Sequence, residues 1–142
     1  PFAKAFGDLK EKDAVALGCD ALRGLLDRVR LGPEHLDHVI MGHVVAQCGV
    51  ANIARELVIE AGLGDDLPAH TVSMACASSL LALVQGVMLV ETGNADCVVC
   101  GGSDSTSHAE EPLPRHVTAA VANYGKSGVA GSSKQMGMPW TW

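Results

Sequence analysis

The sequence predicts an α/β fold in which helices cover both faces of a mostly parallel sheet. Helix-like and strand-like stretches alternate along the first two-thirds of the chain, as they do in α/β units. The strand-like stretches are short and nearly continuously apolar, which is typical of strands buried on both faces. Hydrophobic residues make up 48% of the 142 residues and aromatic residues only 4%, so the core must be aliphatic.

The first predicted helix covers residues 12–30. Its apolar residues recur three or four positions apart, as on the buried face of an amphipathic helix. Asp13 is suited to cap its N-terminus, and Gly32 followed by Pro33 ends it. One short turn is expected over 33–36.

A strand over 38–45 and a helix over 52–61 follow in the sequence. Asn52 is suited to cap this helix and Gly62 to end it. We interpret Arg55 as a solvated charge, with a polar contact near a subunit interface as the alternative.

The next strand is predicted over 69–73 and the next helix over 76–92. Between residues 74 and 90 the polar side chains, apart from one thiol, are two serines and a glutamine. A helix that is apolar all round is expected to be buried on every face, and this one is too short to span a membrane. A last strand over 96–100 is expected to end in a turn at 101–102.

We predict two parts, residues 1–107 as an α/β domain and residues 108–142 as the start of a largely irregular loop domain. The second part is rich in Gly, Ser and Pro, with one short helix predicted over 114–124. Because the chain opens on Pro1 within a loop-like stretch, we expect an amino-terminal truncation.

Charge and cysteine content exclude several partners. The formal net charge is −6 without a basic run, so neither nucleic acid nor an anionic membrane surface is an expected partner. Five cysteines, an odd number without a secretory signal, indicate a reducing compartment, and we expect a cytoplasmic protein. No apolar run has the length of a membrane span.

Cys76 lies where a predicted strand gives way to the apolar helix. The N–H groups and the dipole of a helix N-terminus favour a thiolate, which is the nucleophilic form of cysteine. The alternative is a buried cysteine that acts as a small hydrophobic residue. The neighbouring residues are small enough for a ligand to come close: Ala75, Ala77, Ser78 and Ser79. We interpret both serines as packing residues, although Ser78 could hydrogen-bond within the helix.

A long pattern surrounds Cys76. It comprises Val72, Ser73, Cys76, Ala77, Ser78, Ser79, Leu80, Ala82, Leu83 and Val90. Together these residues resemble the acyl-enzyme cysteine signature of thiolases. The opening over 1–7 is similar to the thiolase segment after the first strand, and residues 95–107 resemble the strand that follows the cysteine helix. Residues 52–56 and 68–76 are most similar to the thiolase subunit of fatty-acid oxidation complexes.

The resemblance implies the N-terminal half of a thiolase, with its first strand before Pro1 in the middle of the sheet and its second half beyond this chain. Unpaired backbone groups would then remain at the sheet centre, at a cost in stability. The base histidine, the second cysteine and the asparagine–water oxyanion site belong to that second half. We therefore expect this chain alone to be inactive.

The implied reaction is that of an acyl-CoA C-acyltransferase. In it the Cys76 thiolate attacks a 3-ketoacyl-CoA, acetyl-CoA leaves, and free CoA takes the shortened acyl chain, while the N–H of Cys76 donates to the oxyanion. The resemblance further implies CoA thioesters as substrates, no metal or organic cofactor, a homodimer, and a hydratase–dehydrogenase subunit as a partner. Two alternatives stay open: a β-ketoacyl synthase-type condensing enzyme, and a non-catalytic thiolase-like module for binding or dimerisation. The sequence singles out no CoA-contacting residue.

Several other cysteines, histidines and glycines could have either a functional or a structural role. Cys97 and Cys100 form a C-x-x-C pattern, but residues three apart in a strand point to opposite faces, which favours two structural cysteines over a redox or zinc pair. His43 is a candidate for lining the pocket, or a satisfied polar residue at a strand end. The glycines at 101–102 allow either a close approach to the Cys76 loop or an ordinary turn. The remaining histidines are expected on the surface or in loops: His35, His38, His70, His108 and His116.

Overall fold

The computed structural model describes residues 2–47, 49–109 and 116–117. The chain divides into two compact units, Pro1–Glu110 and Glu111–Trp142. All helices and strands given below belong to the first unit. The helix predicted over 114–124 lies outside the described residues, apart from residues 116–117, which are helical.

Three helices and three strands alternate along the described part of the first unit, with short 3-10 turns at Pro33–His35 and Thr106–His108. The helices are α1 (Ala14–Val29), α2 (Ile53–Ala61) and α3 (Ser78–Glu91). The strands are β1 (His38–Gly42), β2 (Ala69–Val72) and β3 (Val98–Gly102). Each helix and strand predicted before residue 103 is therefore present, with bounds shifted by a few residues. None of the described helices is long and apolar enough to cross a membrane.

The three strands form one parallel sheet in the order β2-β1-β3. β1 pairs with β3 along its whole length, and Gly42 lies in register with Val72 on one side and Gly102 on the other. The expectation of unpaired backbone groups at the sheet centre is therefore wrong for the described strands, because β1 and β3 bond directly to each other.

Helices cover both faces of this sheet, which confirms the predicted fold class. Successive strand residues point to opposite faces, so Val39 and Met41 pack with α1 and α2 in one core cluster. Ile40 packs with Val72 and with Ala82 of α3 in a second cluster on the other face. The sheet is thus the middle layer of three.

The caps of α1 and α2 follow the sequence prediction closely. The Asp13 carboxylate accepts a hydrogen bond from the N–H of Ala16 at 2.8 Å, and this bond is the main cause that lowers the pKa of Asp13. Asn52 caps α2 through its side-chain oxygen, and Gly62 ends that helix with a φ of 72°. α1 ends at Val29, one residue earlier than predicted, and its C-cap Arg30 adopts the left-handed conformation.

The prediction that α3 is buried on every face is wrong. The buried residues of α3 are small and recur every fourth position: Ser78, Ala82 and Gly86. They face the sheet, so the helix axis lies close to the strands. Leu81 and Leu89 pack against the core on the sheet side. Six other bulky apolar residues point away from the sheet and are 46–58% exposed: Leu80, Leu83, Val84, Val87, Met88 and Val90. α3 is exposed there because no described layer covers its outer face.

The first turn of α3 rests on two glycines from neighbouring strands. A Cβ on Gly42 would overlap the backbone of Ser78 and Ser79, and a Cβ on Gly102 would lie 2.9 Å from the Cβ of Ser79. The Gly-Gly pair predicted as a turn is instead the end of β3. Of the two alternatives for this pair, the close approach fits Gly102, although its contact is with Ser79 in the first turn of α3.

Candidate active site

Cys76 lies in the turn between β2 and α3, two residues before the helix begins. Its side chain is exposed, whereas Cys19 is buried and Cys97 and Cys100 are half-buried. It lines an open cleft of about 820 Å³ whose other walls include the N-terminal segment 2–5, part of α1 and the loop 103–107. A large reagent can therefore reach this thiol.

The turn that carries Cys76 contains a left-handed residue. Ala75, directly before the cysteine, has a φ of 47°, a conformation that costs free energy for any residue with a Cβ. The hydroxyl of Ser78 accepts a hydrogen bond from the N–H of Met74 at 2.8 Å and donates one to the carbonyl of Ala75 at 2.7 Å. The interpretation of Ser78 as a packing residue is therefore incomplete, because its hydroxyl also holds this turn.

Asp104 connects two walls of the cleft. Its carboxylate accepts hydrogen bonds from the N–H groups of Val44 at 3.0 Å and Val45 at 2.7 Å. It also lies 2.9 Å from Nδ1 of His43. These contacts join the segment after β1 to the loop after β3. One signal in the sequence points to Asp104: a polar run follows directly after a buried strand.

His43 does not line the cleft. Its side chain is only 10% exposed, and its Nδ1 lies 2.9 Å from both the Ser103 carbonyl and the Asp104 carboxylate. Both are acceptors, so Nδ1 carries the proton. Nε2 is buried without a hydrogen-bond partner in the described part of the chain. Of the two interpretations of His43, a satisfied polar residue at a strand end describes Nδ1 but not Nε2.

The prediction that His38 and His70 lie on the surface or in loops is wrong. His38 and His70 are half-buried on neighbouring strands, where His38 Nε2 lies 2.8 Å from His70 Nδ1. His70 Nε2 lies 3.0 Å from the side-chain oxygen of Gln85 on α3. Burial is the main cause that lowers the pKa of His38, and the charge of His70 lowers it further. By contrast, His35, His108 and His116 are exposed, as predicted.

The C-x-x-C cysteines point to opposite faces of the sheet, as predicted. Cys97 packs against the α1–α2 side and Cys100 against the α3 side, where burial raises the pKa of the Cys100 thiol. Among the described residues, no group of three or more His, Cys, Asp or Glu side chains could hold a metal ion.

Arg55 is more than a solvated charge. Its guanidinium donates to the carbonyl of Asp65 at 2.8 Å and to that of Leu67 at 3.2 Å. Arg55 thus stabilises the turn that leads into β2, and nothing in the local sequence pattern indicated these backbone acceptors.

Comparison with known proteins adds the family to this geometry. Residues 1–138 match the family model described as the thiolase N-terminal domain. The chain belongs to the thiolase family. A probable 3-ketoacyl-CoA thiolase from Caenorhabditis elegans is 36% identical over 127 residues, which is 89% of this chain and 28% of that protein. The human mitochondrial trifunctional enzyme subunit beta is 42% identical over 107 residues, 75% of this chain and 23% of that protein.

A solved thiolase structure shows the same fold. The crystal structure of a thiolase from Ascaris suum in complex with coenzyme A matches with a TM-score of 0.77 and 29% identity, over 81% of this chain and 30% of that one. This thiolase-family chain thus spans less than a third of the length of these relatives. The match favours the thiolase reading over the ketoacyl synthase alternative.

Proposed function

We propose that Cys76 is the acyl-accepting nucleophile of an acyl-CoA C-acyltransferase. The observation that carries the proposal is the exposure of the Cys76 thiol beside a left-handed residue, in the wall of a cleft and at the N-terminal end of α3. Membership of the thiolase family supports it.

In the proposed reaction the Cys76 thiolate attacks the 3-keto carbon of a 3-ketoacyl-CoA. The bond between carbons 2 and 3 then breaks, carbon 2 takes up through solvent the proton that the Cys76 thiol lost on ionising, and acetyl-CoA leaves. The shortened acyl chain stays on sulfur until the thiol of free CoA takes it and restores Cys76. The reverse sequence condenses acetyl-CoA units. Because the thiolate is the nucleophile, the reaction needs no metal or organic cofactor.

The negative charge that develops on the attacked oxygen needs a hydrogen-bond donor. We assign that role to the backbone N–H of Cys76. The next two N–H groups along the chain, those of Ala77 and Ser78, donate to the carbonyls of Met74 and Ala75 and are already committed. A donor fixed in the turn requires no reorganisation when the charge appears.

Acylation is the part of the reaction that this chain supports. In the described part of the chain no histidine lines the cleft, so no imidazole stands ready to move protons beside Cys76. Because both halves of the reaction move a proton, we expect at most one slow acyl transfer to Cys76 and no sustained turnover. For the whole protein we propose the full reaction, a homodimer, a hydratase–dehydrogenase partner and a cytoplasmic location.

The stoichiometry of product release tests this proposal. The 142-residue chain should release up to one equivalent of acetyl-CoA from acetoacetyl-CoA and then stop, and Cys76→Ala should release none. Sustained cleavage that depends on Cys76 would show that the chain is catalytically complete. If the wild type and Cys76→Ala release equal amounts of acetyl-CoA, Cys76 does not take part in the reaction.

One observation favours a second candidate, the non-catalytic module for binding or dimerisation. The outer face of α3 exposes six bulky apolar side chains, an extent that usually marks a protein contact. If Cys76 accepts no acyl group and the chain self-associates through this face, the module reading is correct. Sedimentation of the chain measures its self-association, and Leu83→Lys, which places a charge on this face, should abolish it.

A further inference from the structure

The backbone before Cys76 is held in a conformation that it would not adopt alone. Ala75 has a φ of 47°, and a left-handed alanine persists only where its surroundings hold it. The helix that follows has no side-chain cap at its N-cap residue Ala77. A different contact must therefore hold the Cys76 turn in place.

That contact is the hydroxyl of Ser78. Its oxygen accepts from the N–H of Met74 at 2.8 Å and its proton goes to the carbonyl of Ala75 at 2.7 Å, so the two bonds span the left-handed residue. Ser78 itself is only 3% exposed. Its backbone lies directly against Gly42 of β1, so the hydroxyl is anchored to the sheet.

The bond to Ala75 also sets the direction of the Cys76 N–H. The carbonyl of Ala75 and the N–H of Cys76 belong to one planar trans peptide and point in opposite directions. The carbonyl points towards Ser78, since it accepts from both the hydroxyl and the N–H of that residue. The N–H of Cys76 must therefore point away from Ser78.

The geometry points to Ser78 as a positioning residue that acts through the Ala75–Cys76 peptide on the reactivity of Cys76. Loss of its hydroxyl frees this peptide plane and lets Ala75 leave the left-handed region. The thiol then loses its fixed presentation at the cleft. The consequence for acyl transfer rests on the function proposed above, whereas the effect on the thiol itself does not.

Two reactions of Cys76 in the 142-residue chain test the inference. The first is alkylation by iodoacetamide, followed by peptide mass spectrometry, and it involves no acyl-CoA. Ser78→Ala should slow it about fivefold, the equivalent of about one ordinary hydrogen bond, with Cys100 labelling unchanged. The second is acylation by acetoacetyl-CoA, which develops an oxyanion and should slow more, by at least about tenfold.

Thr71→Val is the matched control, because the Thr71 hydroxyl also joins two groups outside the cleft. It donates to the Asn52 side-chain oxygen at 2.8 Å and accepts from the N–H of Ala54 at 3.2 Å. Its loss should lower stability without changing either rate at Cys76. Ser78→Thr, which keeps the hydroxyl, should restore both rates.

The outcomes separate the two proposals. If iodoacetamide alkylates Cys76 in Ser78→Ala within about twofold of the wild-type rate, the change is smaller than the loss of one hydrogen bond would produce. In that case Ser78 does not position the thiol. If the wild type is alkylated but never acylated, the proposed function fails and the alkylation rates still decide the role of Ser78. If Ser78→Ala does not fold, Ala75→Gly and Ala75→Gly/Ser78→Ala replace the pair, because glycine accepts this φ without strain. The double variant should then react more slowly than Ala75→Gly, and equal rates would overturn the inference.

Discussion

Gly42→Ala should displace the start of α3 and lower both stability and Cys76 reactivity. A Cβ on Gly42 would lie 2.8 Å from the Ser78 carbonyl oxygen, and nearer still to two other backbone atoms of Ser78 and Ser79. Ordinary van der Waals contact begins near 3.4 Å, so the carbonyl oxygen alone requires a shift of 0.6 Å, the difference between the two distances, and the two nearer atoms require a larger one. Backbone atoms cannot swing aside as the end of a side chain can.

Overpacking of this kind costs about 2–3 kcal/mol. For a chain of this size the unfolding temperature should fall by roughly 6–10 °C. Gly24→Ala is the matched control, because a Cβ there meets nothing within 4 Å. Within α1 that change should raise the free energy of unfolding by about 0.5–1 kcal/mol.

Thermal unfolding and iodoacetamide labelling of Cys76 provide the assay for both variants. Gly42→Ala should unfold earlier and label Cys76 more slowly, while Gly24→Ala should do neither. If Gly42→Ala matched or exceeded the wild type in both measurements, α3 would not rest on this glycine, and the placement of the Cys76 turn derived from that contact would be wrong.

Three further predictions concern stability and thiol chemistry. Burial is the main cause that lowers the pKa of His38. Below pH 6.5 the folded protein therefore binds fewer protons than the unfolded chain. The contribution of His38 to the free energy of unfolding should be complete above pH 6.5 and should be lost as the pH falls below that value. Urea titrations from about pH 7.5 to 5.5 should show this slope, and a slope equally steep in His38→Gln would contradict it. Asn52→Ala removes the cap of α2 and a hydrogen bond to the carbonyl of Ala69, and should lower the free energy of unfolding by about 2 kcal/mol in urea; a loss below about 0.5 kcal/mol would count against the cap. Burial raises the pKa of the Cys19 thiol, so labelling of the native chain should reach Cys76 long before Cys19, and the opposite order would refute the burial pattern.

Local signals in the sequence were sufficient for the framework. Asp13 and Asn52 cap their helices as predicted because a cap depends on a few adjacent residues. The parallel sheet followed from the alternation of helix and strand. Cys76 was identified from its place between β2 and α3 and from the resemblance to thiolases.

Properties that depend on distant residues could not be predicted. The uniform apolar character of α3 indicated burial on every face, but only its sheet-facing side is covered, and six bulky apolar side chains on the other side are exposed. His38 and His70 looked like surface residues because their pairing joins β1 to β2 across 32 positions of sequence. The role of the Ser78 hydroxyl was hidden for a different reason, since it depends on the left-handed conformation of Ala75.

Direct observation of an acyl group on Cys76 would show whether this thiol accepts the acyl chain. The 142-residue chain is mixed with acetoacetyl-CoA, and the intact protein and its peptides are then weighed by mass spectrometry. We expect one acetyl group per chain, carried by the peptide that contains Cys76 and absent from Cys76→Ala. An unmodified Cys76, or an acetyl group that persists in Cys76→Ala, would contradict the assignment of this thiol as the acyl-accepting nucleophile.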